Sequence, residues 1–312
     1  MHVLVPGGAG FIGSHLVDGL LAEGAKVRVL DSLATGRESN LADAADRIEW
    51  IRGDVRDRSA VAAAVAGTDA VLHAAALPSV IGSIEDPSTC NEVNITGTLN
   101  LLLAARDAGV KRVVFSSSSS IYGDSPVLPK REDMMPQPMS PYALQKLAGE
   151  HYMRLFLELY GLAAISLRYF NVFGPRQNPR SQYAAVVPLF AKGLLEGKRL
   201  TVYGDGEQTR DFTFVGDIVS ANLLCLNAPQ EAASGVYNIA CGERISVNRL
   251  ARELAALTGK PCDCVYMPAR PGEVRESQAD FSLAQRRLGW RPRVSLEEGL
   301  RRTVRYYAGS GA

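Results

Sequence analysis

Residues 2–24 read HVLVPGGAGFIGSHLVDGLLAEG. A short apolar run, HVLV, leads into a cluster of glycines. Phe11, Ile12, Leu16, Leu20 and Leu21 then recur close to helical spacing, and Gly24 supplies a stop. The reading is strand, glycine turn, helix. Gly7, Gly10 and Gly13 form G-x-x-G-x-x-G at the junction. Glycines there let the backbone turn tightly and approach a pyrophosphate seated on the helix N-terminus. Any glycine-rich turn could share the composition; the strand before and the helix after select the dinucleotide reading.

Working outward, strand-like and helix-like stretches alternate. KVRVLD (26–31) and IEWIRGD (48–54) read as strands, RSAVAAAVAG (58–67) as a helix, and DAVLHAAA (69–76) as a strand. A long helix is expected over 91–109, a strand at RVVFSSS (112–118), a helix over 142–161 and a strand at AAISLRYFNV (163–172). This alternation implies βαβ units, a parallel sheet and right-handed crossovers. The expected fold is α/β, a Rossmann-type doubly wound parallel sheet with a smaller C-terminal α/β substrate domain. Residues 1–170 should form the first domain, with a segment at about 211–240 returning to it through SGVYNIAC (234–241). Residues 171–210 and 241–312 should form the second, against the carboxyl ends of the strands, where ligands bind in such folds.

The totals exclude several functions. The 312 residues carry a net charge of +1, so there is no electrostatic case for nucleic acid or an anionic membrane. The five cysteines, at 90, 225, 241, 262 and 264, do not read as a disulfide framework. Cys262 and Cys264 form a lone C-x-C, and the four histidines show no ligand spacing, so no metal is expected. No leader pattern opens the chain and no segment approaches 18 apolar residues, which makes a cytoplasmic protein the expectation.

Asp31 ends the second strand, 18 residues past Gly13. A carboxylate there can accept from both adenosine ribose hydroxyls and would repel a 2′-phosphate, which favours NAD over NADP. Asp54 is either an adenine contact or a turn aspartate. Tyr142 and Lys146 stand at i,i+4 and share a helix face. An ammonium beside a phenol stabilises the phenolate, so Tyr142 is expected to act as a base well below its free pKa of about 10.

These motifs are similar to those of the extended short-chain dehydrogenases/reductases that act on nucleotide sugars, along essentially the whole chain. PGGAGFIG resembles that family's T-G-G-x-G-F-I-G, with Pro6 in place of Thr. The resemblance extends the NAD set to Gly7, Gly10, Phe11, Ile12, Gly13, Asp31, Asp54, Val55, Ala74, Ala75, Asn94, Ser116, Tyr142, Lys146 and Phe170. The family's catalytic hydroxyl lies four residues before the tyrosine of its V-Y-G motif. Here that motif is Ile121–Tyr122–Gly123, and counting back gives Ser118. Dehydratases of the family carry Asp-Glu at the next two positions, and decarboxylases a Glu at the second. This chain has Ser119 and Ser120, neither of which can serve as a carboxylate acid or base. That pattern points to the 4-epimerases.

The same resemblance places Asn171, Arg210 and Arg270 on the diphosphate, Val202 and Tyr203 near the base, and Glu273 near the ribose. Arginine suits a diphosphate because its fork matches phosphate oxygens. Ser277 stands where a small residue admits an N-acetyl group. Ser79 is either a sugar contact or part of a tight turn. The expected activity is NAD-dependent UDP-hexose 4-epimerisation by transient oxidation at C4, on UDP-GlcNAc/UDP-GalNAc and also UDP-Glc/UDP-Gal. The alternatives are a UDP-glucuronate 4-epimerase, another nucleotide-sugar oxidoreductase, or a regulatory protein that binds NAD and nucleotide sugar without chemistry. Apolar residues on more than one face of the helices at 91–109 and 142–160 (Leu99, Leu103, Leu155, Leu159) suggest a homodimer.

Overall fold

The computed structural model describes residues 1–179, 185–229, 231–269 and 274–309. Along the first half run β1 (His2–Pro6), α1 (Phe11–Ala22), β2 (Lys26–Asp31), β3 (Ile48–Arg52), α2 (Arg58–Val65) and β4 (Ala70–His73). Then come α3 (Val80–Glu85), α4 (Pro87–Asn91), α5 (Gly97–Asp107), β5 (Arg112–Ser118), α6 (Pro141–Tyr160) and β6 (Ala163–Tyr169). The remainder holds β7 (Val172–Phe173), α7 (Val186–Leu195), β8 (Leu200–Tyr203), β9 (Thr209–Arg210), β10 (Thr213–Phe214) and α8 (Val215–Leu226). It ends with β11 (Val236–Ile239), β12 (Ile245–Ser246), α9 (Val247–Thr258), β13 (Cys264–Met267), α10 (Ser282–Leu288) and α11 (Leu296–Gly309).

Seven strands form one sheet in the order β11-β6-β5-β4-β1-β2-β3, every neighbouring pair parallel. Its strands are apolar on both faces, as a sheet covered twice requires; Val3, Leu4 and Val5 of β1 are wholly buried. On one face Leu16 and Leu20 of α1 meet Ile218 and Ala221 of α8. On the other, Val61 of α2, Leu101 of α5 and Met153 and Phe156 of α6 pack together. This is the Rossmann-type α/β fold that the alternation predicts.

Two local departures from the sequence reading have physical causes. The helix expected over 91–109 is broken into α4, a π-helical stretch at Glu92–Thr96 and α5. The π turn buries Asn94, whose amide bonds Leu77 and Gln145. Second, α10 lies within the stretch expected to build the smaller domain. Instead, Ala284, Leu288 and Trp290 pack into the cluster that holds Val3, Val5 and Leu16. The Trp290 indole N–H donates to the Asp217 carbonyl of α8 at 3.1 Å, which anchors it there. A separate cluster (Phe190, Leu194, Leu200, Leu250, Leu254 and Leu300) holds α7, α9 and α11 around the parallel pair β8–β13.

The two clusters are stitched by Asp211, wholly buried beside the carboxyl end of β11. Its carboxylate accepts N–H bonds from Cys241 (2.9 Å), Gly242 (3.0 Å) and Ala279 (3.1 Å). Asp211→Ala strands three backbone donors, one buried and two part-buried, at about 1 kcal/mol or more each. A loss of at least about 3 kcal/mol is therefore expected in chemical denaturation, while Asp211→Asn, which keeps one acceptor oxygen, should lose less.

Candidate active site

The loop after β1 shows why its glycines are required. Gly7 has φ +79°, and a Cβ on it would lie 2.6 Å from the Ala75 backbone nitrogen. A Cβ on Gly13 would lie 2.0 Å from the Gly7 carbonyl oxygen. Pro6 lacks an N–H, yet its carbonyl accepts from Ala74 at 3.0 Å, so the loop stays tied to the chain leaving β4. Gly10 opens α1 without any side-chain cap. The first-turn N–H groups of Phe11, Ile12 and Gly13 therefore have no partner from a capping side chain, which is the donor set a pyrophosphate needs.

Asp31 ends β2 against this loop. One carboxylate oxygen accepts from Ala9 N at 2.9 Å and the other from Leu33 N at 2.8 Å. Each oxygen keeps a lone pair for a ribose hydroxyl. Asp54 is gripped by Arg56, with bonds of 2.9, 3.0 and 2.8 Å from its backbone, Nε and Nη2. That grip holds the Asp54 carboxyl below the usual range. Val55 is buried, its carbonyl taking the Asn100 amide at 3.1 Å, so only its backbone N–H is left for a ligand. Asn94, expected on the cofactor, is instead satisfied by Leu77 and Gln145, where it fastens the loop after β4 to α6. Phe170 is wholly buried beside Tyr122, so its ring cannot touch a ligand.

The residues that carry chemistry converge at the C-terminal end of β5. Ser140 caps α6, accepting from Ala143 N at 3.1 Å, and Pro141 sits in its first turn. The helix starts there, so Tyr142 and Lys146 fall one turn apart against β5. Ser118 is close enough to the Tyr142 phenol to lower its pKa, against the effect of burial. The Lys146 ammonium donates to the Ser116 carbonyl at 2.7 Å and lies 4.8 Å from the Phe115 ring centroid and 5.9 Å from that of Tyr142. Ser83, which sequence reasoning missed, is fully buried and accepts the Tyr142 backbone N–H at 3.0 Å.

The expected acidification of Tyr142 by Lys146 is not seen in the chain alone. Burial pushes the phenol up to about 12, opposed by the Ser118 hydroxyl. Burial likewise pushes Lys146 down to about 7, opposed by Glu150. Desolvation dominates both shifts and neither group counts among the causes of the other's; the ammonium is directed to the Ser116 carbonyl.

The serine run Ser116–Ser120 divides by partner. The Ser116 hydroxyl meets the Tyr169 phenol at 3.3 Å; Ser117 donates to Glu150 at 2.5 Å. Ser118 caps a short 3-10 turn at Ser119–Tyr122 and accepts from the Ser120 backbone N–H (3.2 Å) and hydroxyl (2.9 Å).

On the second cluster's side, Asn171 has φ +32° and donates to the Asp211 carbonyl at 3.0 Å. Arg210 is half-buried, with Nη1 on the Thr209 carbonyl at 2.9 Å. Ser277 is buried, its N–H on the same carbonyl at 3.1 Å. Tyr203 is half-buried, but the Val202 side chain is packed inside the second cluster and cannot reach a base. Ser79 caps α3 through Gly82 N at 2.8 Å, which answers the tight-turn reading. Arg270 and Glu273 lie outside the described residues. Among the described residues no group of three or more His, Cys, Asp or Glu is placed to hold a metal, and no helix is long and apolar enough to cross a membrane.

The chain belongs to the NAD dependent epimerase/dehydratase family, whose profile matches residues 3–240. It is 41% identical to a UDP-glucose 4-epimerase of Mycolicibacterium smegmatis, over 98% of each chain. Among solved structures it is similar to a UDP-glucose 4-epimerase from Thermotoga maritima with UDP-glucose (39% identity, 99% of each chain, TM-score 0.95). It is also similar to a UDP-N-acetylglucosamine 4-epimerase from Methanobrevibacter ruminantium in complex with UDP-N-acetylmuramic acid (40% identity, 99% of this chain and 98% of that one, TM-score 0.94). In activity class it is an NAD-dependent nucleotide-sugar 4-epimerase, an isomerase.

The uncapped, glycine-bound loop makes a direct prediction. Gly13→Ala forces a methyl onto the Gly7 carbonyl, so NAD released on denaturing the purified protein should fall from stoichiometric to near zero. Full retention would contradict the loop's assignment.

Proposed function

We propose that the protein interconverts UDP-N-acetylglucosamine and UDP-N-acetylgalactosamine, and also accepts UDP-glucose and UDP-galactose. The observation that carries the reaction is the convergence of Tyr142 and Lys146, one turn apart on α6, with Ser118 at the end of β5, beside serines rather than carboxylates at 119 and 120. Tyr142 takes the proton from the sugar 4-hydroxyl and later returns it. Ser118 holds the same oxygen; its own oxygen already accepts two bonds from Ser120, which leaves its single hydrogen for donation to the sugar oxygen. Lys146 supplies the positive charge behind the phenol. NAD, when bound, accepts the C4 hydride and gives it back. The Gly7–Gly13 loop and Asp31 would hold its pyrophosphate and adenosine ribose.

Between the two transfers the flat 4-keto sugar must present its other face. The anchor for that turn is the diphosphate, assigned to Asn171, Arg210 and Arg270, with Tyr203 at the base and Glu273 at the ribose. The preference for N-acetylated sugars rests on the small side chain of Ser277. In the same reading residues 1–170 and about 211–240 bind NAD, and residues 171–210 and 241–312, without α10, hold the sugar nucleotide. The protein works in the cytoplasm as a homodimer. Support for the dimer comes from α6, where Leu144 is 56% and Leu159 67% exposed, a face that a second copy would cover.

Purified protein given UDP-GalNAc without added NAD should yield UDP-GlcNAc, read by sugar-nucleotide chromatography. Tyr142→Phe should lower kcat by about 10²- to 10⁴-fold. Turnover of UDP-glucuronate but of no neutral hexose would replace the substrate claim. Ser277→Tyr should cut kcat/KM for the N-acetylated sugars at least about tenfold, since a lost pocket contact is worth about 1–3 kcal/mol. Its kcat/KM for UDP-glucose should hold.

A further inference from the structure

β6 reads AAISLRY, and its sixth residue, Arg168, is buried in the middle of the protein. A guanidinium is costly there unless it is paired and fully hydrogen-bonded. Its partner is Glu150 of α6, with bonds of 2.9 Å from Nε and 2.8 Å from Nη2. Both side chains are 5% exposed. Glu150 stands one turn past Lys146 and two past Tyr142, on the same helix face. The carboxylate oxygen that takes Arg168 Nε also takes the Ser117 hydroxyl at 2.5 Å. Three consecutive residues of β5 thus meet three consecutive turns of α6. Ser118 reaches Tyr142, the Ser116 carbonyl reaches Lys146, and Ser117 reaches Glu150.

We propose that the Glu150–Arg168 pair is a positioning element that sets both the register of α6 on β5 and the charge felt by Tyr142 and Lys146. The inference rests on the 4-epimerase reading of Ser118, Tyr142 and Lys146. Glu150 pairs with Arg168 and also raises Lys146, which stands one turn from it and 5.9 Å from the Tyr142 ring centroid. The groups facing the pair and the lysine from other elements are few. His73 of β4 stays neutral, because burial pushes it down to about 3; its Nε2 meets the Thr98 hydroxyl at 2.9 Å. Beyond Arg168, the Tyr122 phenol accepts from Nη1 at 2.8 Å and donates to Asn238 at 2.7 Å. Burial raises Tyr122 to about 12, so the phenol adds no charge; burial also raises Glu132, and the Arg168 charge opposes that rise, so Glu132 is the second carboxylate that feels the guanidinium. Glu132 and Asn238 continue the chain of bonds, through Asn238 N at 2.8 Å, toward the segment that carries Ser277 and Ala279.

The sign of the effect follows. Glu150→Gln leaves Arg168 charged, and an uncompensated positive charge favours the phenolate and disfavours the ammonium. Both limbs of the kcat–pH profile should move to lower pH, by on the order of one unit. Arg168→Met leaves the carboxylate and should move the basic limb to higher pH. Glu150→Gln/Arg168→Met removes both charges and should return the limbs to their wild-type positions. Glu150→Asp keeps the charge and should leave them in place at reduced kcat. The experiment is the kcat–pH profile of the NAD-loaded protein and these variants at saturating sugar nucleotide. Lower kcat with unmoved limbs would mean a merely structural pair and overturn the proposal. Downward movement in Arg168→Met would overturn it too, and that arm stands where Glu150→Gln does not fold. If the wild type does not epimerise any sugar nucleotide, the reading of the site itself fails, an outcome distinct from superimposed profiles.

Discussion

The register between β5 and β6 is the constraint on which the site depends. Ser116, Ser117 and Ser118 pair with Leu167, Arg168 and Tyr169. A slip of one residue would turn every side chain to the opposite face. Arg168 would then leave Glu150, Ser117 would face the wrong helix, and α6 would lose the polar bonds that hold it along the strand. The apolar layer beneath, from Phe115 to Met153 and Phe156, leaves little else to choose between neighbouring positions of α6. A close approach adds to this: Gly149 lies where any Cβ would come within 2.4 Å of the Phe115 ring. Helix and strand are pressed together and bonded over the same turns.

This arrangement explains why polar residues crowd a strand that otherwise belongs to the core. Each of the buried polar groups along it has a named partner, so none bears the full cost of desolvation. Burial still leaves its mark on the titrating pair. In the chain by itself the phenol is pushed up and the ammonium down, both away from the states that proton transfer needs. Asp211, Asn238 and the Trp290 anchor extend the same logic to the segment around Ala279 and α10, which is held to the sheet by backbone bonds as well as by the apolar packing of Ala284, Leu288 and Trp290.

Much of this was legible in the residues. The glycine loop, Asp31 and the Tyr142–Lys146 spacing depend on local geometry, and local geometry is what spacing encodes. The family resemblance singles out Ser118 from its neighbours, through the Ile121–Tyr122–Gly123 motif. The parts that were not legible depend on tertiary packing. The family resemblance places Val202 and Phe170 on ligands, but the strand and loop that carry them turn those side chains inward. Asn94 looked available until the π turn directed it at Leu77 and Gln145. α10 was assigned by its place in the chain, while Trp290 decided where it packs. Glu150 and Arg168 did leave a signal: a glutamate one turn past the lysine, and an arginine inside an apolar strand.

The mechanism requires that the hydride leave C4 of the sugar and return to the same carbon within one closed site. The direct measurement uses a nucleotide sugar carrying deuterium at C4, epimerised in ordinary water and read by mass spectrometry and NMR of the product. The epimer should keep its deuterium at C4. Loss of the label to solvent would show inversion through proton exchange instead, and would contradict the roles of Tyr142, Lys146 and the dinucleotide loop.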